Sequence, residues 1–189
     1  MMMVRQLLVL LCCLLPLASL SAEKAEDKQG TKVTVLIEGV HCDACVRAVR
    51  ARLAGVKGVQ LEPDDVYRGE KPKYFSDPFV VRLGKTTETG LGALAKATAT
   101  AATPHANDVP PRLHLVLFTK KTIDEPSVSA LRMALSDTNG VTVFESGALG
   151  AFIQKGWYWI RLDPAGGADL EELVTAAKQA GTFQLLDPR

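Results

Sequence analysis

Cys42 and Cys45 are the residues of this chain best placed to do chemistry. They stand in Gly39-Val40-His41-Cys42-Asp43-Ala44-Cys45, its one dense run of reactive side chains. Two intervening residues let a loop curl until both sulfurs point to one spot. The run lies between a predicted strand and a predicted helix, with Cys45 in the first helical turn and Cys42 in the loop before it. A helix N-terminus offers unpaired N–H groups and the positive end of the dipole, which favour thiolate over thiol. Thiolate is the form that binds metal, and a soft sulfur pair selects Cu(I), with Zn(II) or another soft metal as the alternative. His41 is a candidate third ligand, one that suits Zn(II) better than Cu(I). The plainer reading of His41 is an exposed loop imidazole. Asp43 reads as solvated. A dithiol/disulfide redox role would use the same pair, and a scaffold that has kept only its fold would use neither Cys. His114 falls in an apolar strand and reads as a sheet residue, while His105 falls in a connection and needs no role. No phosphate-binding glycine loop, catalytic triad or paired-carboxylate site is present, so the expectation is a binding protein and not an enzyme.

The elements around that run repeat an order. Residues 32–38, KVTVLIE, are β-branched and apolar and predict a strand. Val46, Val49 and Leu53 recur at i, i+3, i+7 and predict a helix with one buried face, closed by Gly55 and Gly58. Short strands follow at 56–61 and 79–83, separated by a long insert at 62–78. A helix over 86–99 carries Leu91, Leu94 and Ala95 at helical spacing. Residues 101–111 are rich in Ala and Thr, then Pro, and read as a linker. Beyond them a strand at 113–118 (LHLVLF) precedes a helix that opens on Asp124, Glu125 and Pro126 and buries Val128, Leu131 and Leu135. Strands at 141–144 and 157–162, a helix through Leu170, Leu173, Val174 and Ala177, and a last strand at 182–186 complete the second half. Trp157, Tyr158 and Trp159 alternate across their strand, so one face is expected in the core and the other partly exposed.

Each half thus runs β-α-β-β-α-β, the split βαβ order. The predicted fold is α+β: two tandem ferredoxin-like (βαββαβ) modules, over 31–100 and 112–187. The first has a degenerate or missing fourth strand, and the second has no Cys.

The stretch EGVHCDACVRAVRARLAGVKGV resembles the heavy-metal-associated domain. Gly39, Cys42, Cys45, Val49, Leu53, Gly58 and Val59 fall at that family's positions, with Val40 in place of its usual Met. The likeness covers 32–100 at most and is sharp over 38–59. It implies a ferredoxin-like fold that holds one soft metal ion between Cys42 and Cys45. It also implies a metal-binding or metal-transfer role, with a transfer partner protein.

Composition narrows the class. The 189 residues suit one domain or two small ones, and a net charge of +1 gives no electrostatic case for nucleic acid. At 47% hydrophobic and 23% charged, the chain is built for a packed core. Residues 1–22 run from Arg5 through an apolar stretch at 7–15 to Pro16 and the small residues Ala18, Ser19, Ser21 and Ala22. That is the order of a secretory signal peptide, and its apolar run falls short of the ~20 residues of a membrane span. Its removal takes away Cys12 and Cys13 and leaves a mature form with no membrane span. The expected location is exported, periplasmic or secreted. N-terminal sequencing of the exported protein should begin near Glu23; a mature form still carrying Met1 would refute the signal-peptide reading.

Overall fold

The computed structural model describes residues 30–62, 75–84, 90–105, 110–119, 125–143, 157–181 and 183–185. The signal-peptide reading of 1–22, most of the 62–78 insert and the predicted helix start at Asp124 lie outside them. The chain is mixed α/β. Its strands are β1 (Thr31–Glu38), β2 (Val59–Leu61), β3 (Phe79–Leu83), β4 (Arg112–Phe118), β5 (Val141–Val143) and β6 (Trp157–Leu162). Its helices are α1 (Asp43–Ala54), α2 (Leu91–Ala99), α3 (Glu125–Ser136) and α4 (Leu170–Ala180). Among the described residues no helix is long and apolar enough to cross a membrane.

All six strands form one antiparallel sheet in the order β2-β3-β1-β4-β6-β5. This corrects the expectation of a separate sheet in each half. The first six elements run β1-α1-β2-β3-α2-β4, and β4 fills the place where a degenerate or missing fourth strand was expected. The same β4 opens the second half, pairing with β6 on its other side. The sheet therefore passes without a break across the expected boundary at 101–111.

The reason lies in the sequence of β4, RLHLVLF, in which every residue after Arg112 is buried. Leu113, Leu115 and Leu117 face the helices and join one core with Val33, Val35 and Ile37 of β1 and Tyr158, Ile160 and Leu162 of β6. Val116 and Phe118 face the opposite way and cluster with Leu36, Trp157 and Trp159. A strand apolar on both faces belongs inside a sheet with both faces covered. The expectation that one face of Trp157, Tyr158 and Trp159 is partly exposed is accordingly corrected: all three are buried.

The helices supply the other side of the main core. α1 contributes Cys45, Val49 and Leu53, a stripe at i, i+4, i+8, while Val46 is only half-buried. α2 adds Leu91, Leu94 and Ala95, α3 adds Leu131 and Leu135, and α4 adds Leu173, Ala176 and Ala177. The N-cap of α4 is Asp169, whose Oδ1 accepts from the Glu172 N–H at 2.9 Å. Of the last strand expected at 182–186, the described residues 183–185 make a bridge between Phe118 and Gln184, with the Thr34 N–H donating to the Leu185 carbonyl at 3.0 Å. Beside β4 the full strand position is already taken by β1, so this segment reaches only the end of the seam.

One sheet with one helix-side core should unfold as one unit. Both tryptophans lie in β6, whereas Leu53 is a fully buried residue of α1. Leu53→Ala should therefore lower the stability read by tryptophan fluorescence by about 2–5 kcal/mol. Denaturant titration tests this: an unmoved tryptophan transition beside a shifted circular-dichroism transition would mean that the halves unfold independently.

Candidate metal centre

The site begins at the end of β1. Gly39 adopts φ 82°, a left-handed conformation open to glycine at little cost, and turns the chain out of the sheet. The strand end before it is held from two sides. Ser76, itself buried, donates its backbone N–H to the Ile37 carbonyl at 2.8 Å and accepts the Ile37 N–H on its hydroxyl at 2.9 Å. On the other side Glu38 Oε2 lies 2.8 Å from His114 Nε2. Burial pushes the His114 imidazole below its usual pKa, so it is neutral at pH 7 and donates Nε2–H to the carboxylate. That hydrogen bond holds the Glu38 carboxyl below the usual carboxylate range. His114 is thus a sheet residue, as expected, and one that fixes the strand from which the loop departs.

Val40 is buried and anchors the loop, while His41, Cys42 and Asp43 are exposed. Cys42 is the N-cap of α1 in an extended conformation, and its carbonyl accepts the Val46 N–H at 3.2 Å. Its side chain makes no full capping hydrogen bond, yet its sulfur lies among the N–H groups that open the helix. The Cys45 backbone N–H, then the Cys45 thiol, lower the Cys42 pKa below that of an ordinary thiol, with the Ala44 N–H adding a smaller part; the Asp43 charge opposes them. Cys45 is buried on the core stripe of its helix, a place its small apolar thiol fits. The two cysteines are not bonded, and their sulfurs stand 3.5 Å apart.

The third candidate ligand is His105, a residue of a connection that read as needing no role. One ligating atom each from Cys42, Cys45 and His105 lies within 4.8 Å of the others. His105 is exposed and lies in the connection from α2 to β4. His41, the candidate third ligand, is not in this group of three; its ring centre lies 5.4 Å from that of His105. The signal for His105 was topological. Glu38 at the end of β1 pairs with Arg112 at the start of β4. The loop leaving β1 and the connection entering β4 therefore share one end of the sheet. Assigning 113–118 to the second half alone hid that proximity.

Two sulfurs and an imidazole nitrogen form a soft to borderline donor set, suited to Cu(I) or Zn(II) and poorly suited to hard cations such as Mg(II). Compared with protein-family models, with curated proteins and with solved structures, the chain matches none.

The lowered pKa of Cys42 sets a pH dependence. The thiolate is the nucleophile, so alkylation of Cys42 by iodoacetamide should half-saturate below the value of about 8.5 of a free cysteine. Asp43→Asn should move that profile further down, because the opposing charge is gone, and buried Cys45 should react more slowly. Peptide mass spectrometry across pH reads both; a Cys42 profile at or above that of free cysteine would contradict the helix-start stabilisation.

Proposed function

We propose that the protein binds a soft metal ion through Cys42 and Cys45 and hands it on by ligand exchange, as an exported metal-binding or metal-transfer protein. The observation that carries this reading is the convergence of the Cys42, Cys45 and His105 ligand atoms at an exposed strand-to-helix loop. The heavy-metal-associated resemblance of 38–59 supports it, as does the β-α-β-β-α-β order of the first six elements. The expected cargo is Cu(I), which a thiolate pair suits best. The nitrogen of His105 is the specific reason to hold Zn(II) as the second cargo. Export rests on the signal-like order of residues 1–22.

The chemistry is exchange of ligands and not catalysis. Binding releases the protons of the two thiols, since thiolate is the coordinating form. Exposed Cys42 is the ligand an incoming thiolate of a partner protein can displace, while buried Cys45 stays fixed. The metal passes through a three-sulfur arrangement, and its oxidation state does not change.

The reduced protein should take up one Cu(I) in competition with a chromogenic chelator. Cys42→Ser and Cys45→Ser should each abolish competition, because one thiolate does not make a two-sulfur site. A wild type that competes no better than the double Ser variant would end the metal-binding reading and leave the dithiol or scaffold roles.

A further inference from the structure

We infer that His41 and His105 act as a pair, which makes the centre a four-donor Cys2His2 site able to close around a borderline divalent ion of the Zn(II) class. This rests on the reading that Cys42 and Cys45 bind metal, and extends it from a sulfur pair to a complete tetrahedral shell.

Two distances carry the inference. On one tetrahedral ion with metal–sulfur bonds of about 2.3 Å, two sulfurs stand about 3.8 Å apart, whereas a linear arrangement with the same bonds would spread them to about 4.6 Å. The sulfurs of Cys42 and Cys45 are 3.5 Å apart, on the tetrahedral side of that comparison. The rings of His41 and His105 are 5.4 Å apart and inclined at 54°. His105 already has a ligand atom within reach of both sulfurs. His41 is exposed and directly precedes Cys42 but is not in that group of three, so the four-donor shell requires its ring to turn toward the two sulfurs. Such rotations of exposed side chains take picoseconds to nanoseconds.

Charge points the same way. Two thiolates neutralise a divalent ion completely, and two neutral imidazoles add donors without adding charge. A monovalent ion bound by the same thiolates leaves a net negative centre next to the Asp43 carboxylate. The four-donor set therefore discriminates between the cargoes. A monovalent ion is held by sulfur with the histidines adding little, and a divalent ion requires them.

The reduced protein, titrated with Co(II) as a spectroscopic stand-in and then with Zn(II) against a chelator, tests this. The wild type should give the intense visible ligand-field bands of a tetrahedral centre, together with thiolate charge-transfer absorption. His41→Ala and His105→Ala should each weaken Zn(II) binding tenfold or more and reduce the intensity of those bands, with Cu(I) affinity changed less than about threefold. Circular dichroism should show both variants folded, since both side chains are exposed. Wild-type Co(II) bands unchanged in His41→Ala, or Zn(II) affinity unchanged there, would overturn the four-donor site while leaving the sulfur site intact. Failure of the wild type to bind Cu(I) better than the double Ser variant would instead remove the underlying metal reading.

Discussion

The antiparallel seam between β1 and β4 is the contact on which the rest of this structure depends. Its register runs from Thr34 opposite Val116 to Glu38 opposite Arg112. It joins what would otherwise be two small sheets, each with an exposed edge, into one sheet with both seam strands inside. Unpaired edges are a liability, and a small domain buries little core relative to its surface. Sharing β4 relieves both problems. The C-terminal segment shows the consequence. Its described residues reach Phe118 and Thr34 at the end of the seam and make a bridge there, because the place beside β4 is filled.

The seam also brings the candidate metal ligands together. Antiparallel pairing puts the exit of β1 and the entry of β4 at one end of the sheet, so Cys42 and His105 meet although 62 residues separate them in sequence. Ser76 and His114 hold the exit of β1 from opposite sides. The loop is thus exposed at its tip and rigid at its root, with Val40 and Cys45 buried on either side of the exposed residues 41–43.

Much of this was legible in the sequence where pattern is local. The strand-to-helix position of the Cys pair, the buried stripe of α1, and the element order through α2 are all set by short-range periodicity and glycine punctuation. The part that was not legible is long-range. LHLVLF predicts a strand, and its lack of polar alternation points to a strand covered on both faces. It does not say which strands do the covering. Taking the Ala/Thr/Pro stretch as a boundary assigned β4 to one half, and with it went the neighbourhood of His105. The buried state of Trp157 and Trp159 follows from the same fact, because a sheet centred on β4 carries a second apolar cluster on the face away from its helices.

On the proposed metal-binding reading, the contrast between the two cysteines suits exchange better than storage. A storage site gains from enclosing every ligand, since each buried donor slows release. Here only Cys45 is enclosed, and it is held by the packing of α1 against the sheet. Cys42, His105 and His41 all face solvent. A helix start stabilises the thiolate of Cys42 without hiding it, so the sulfur proposed to capture an ion stays open to attack by an incoming ligand. The fixed ligand keeps the ion in place during the exchange, and the exposed ligands set how many bonds must break before it leaves. On the proposed reading, a cargo held by sulfur alone would leave once both Cys42 and Cys45 are displaced, while a cargo that also engages His105 would have to shed a nitrogen bond as well. On that reading, the number of exposed donors an ion recruits sets its residence at the site.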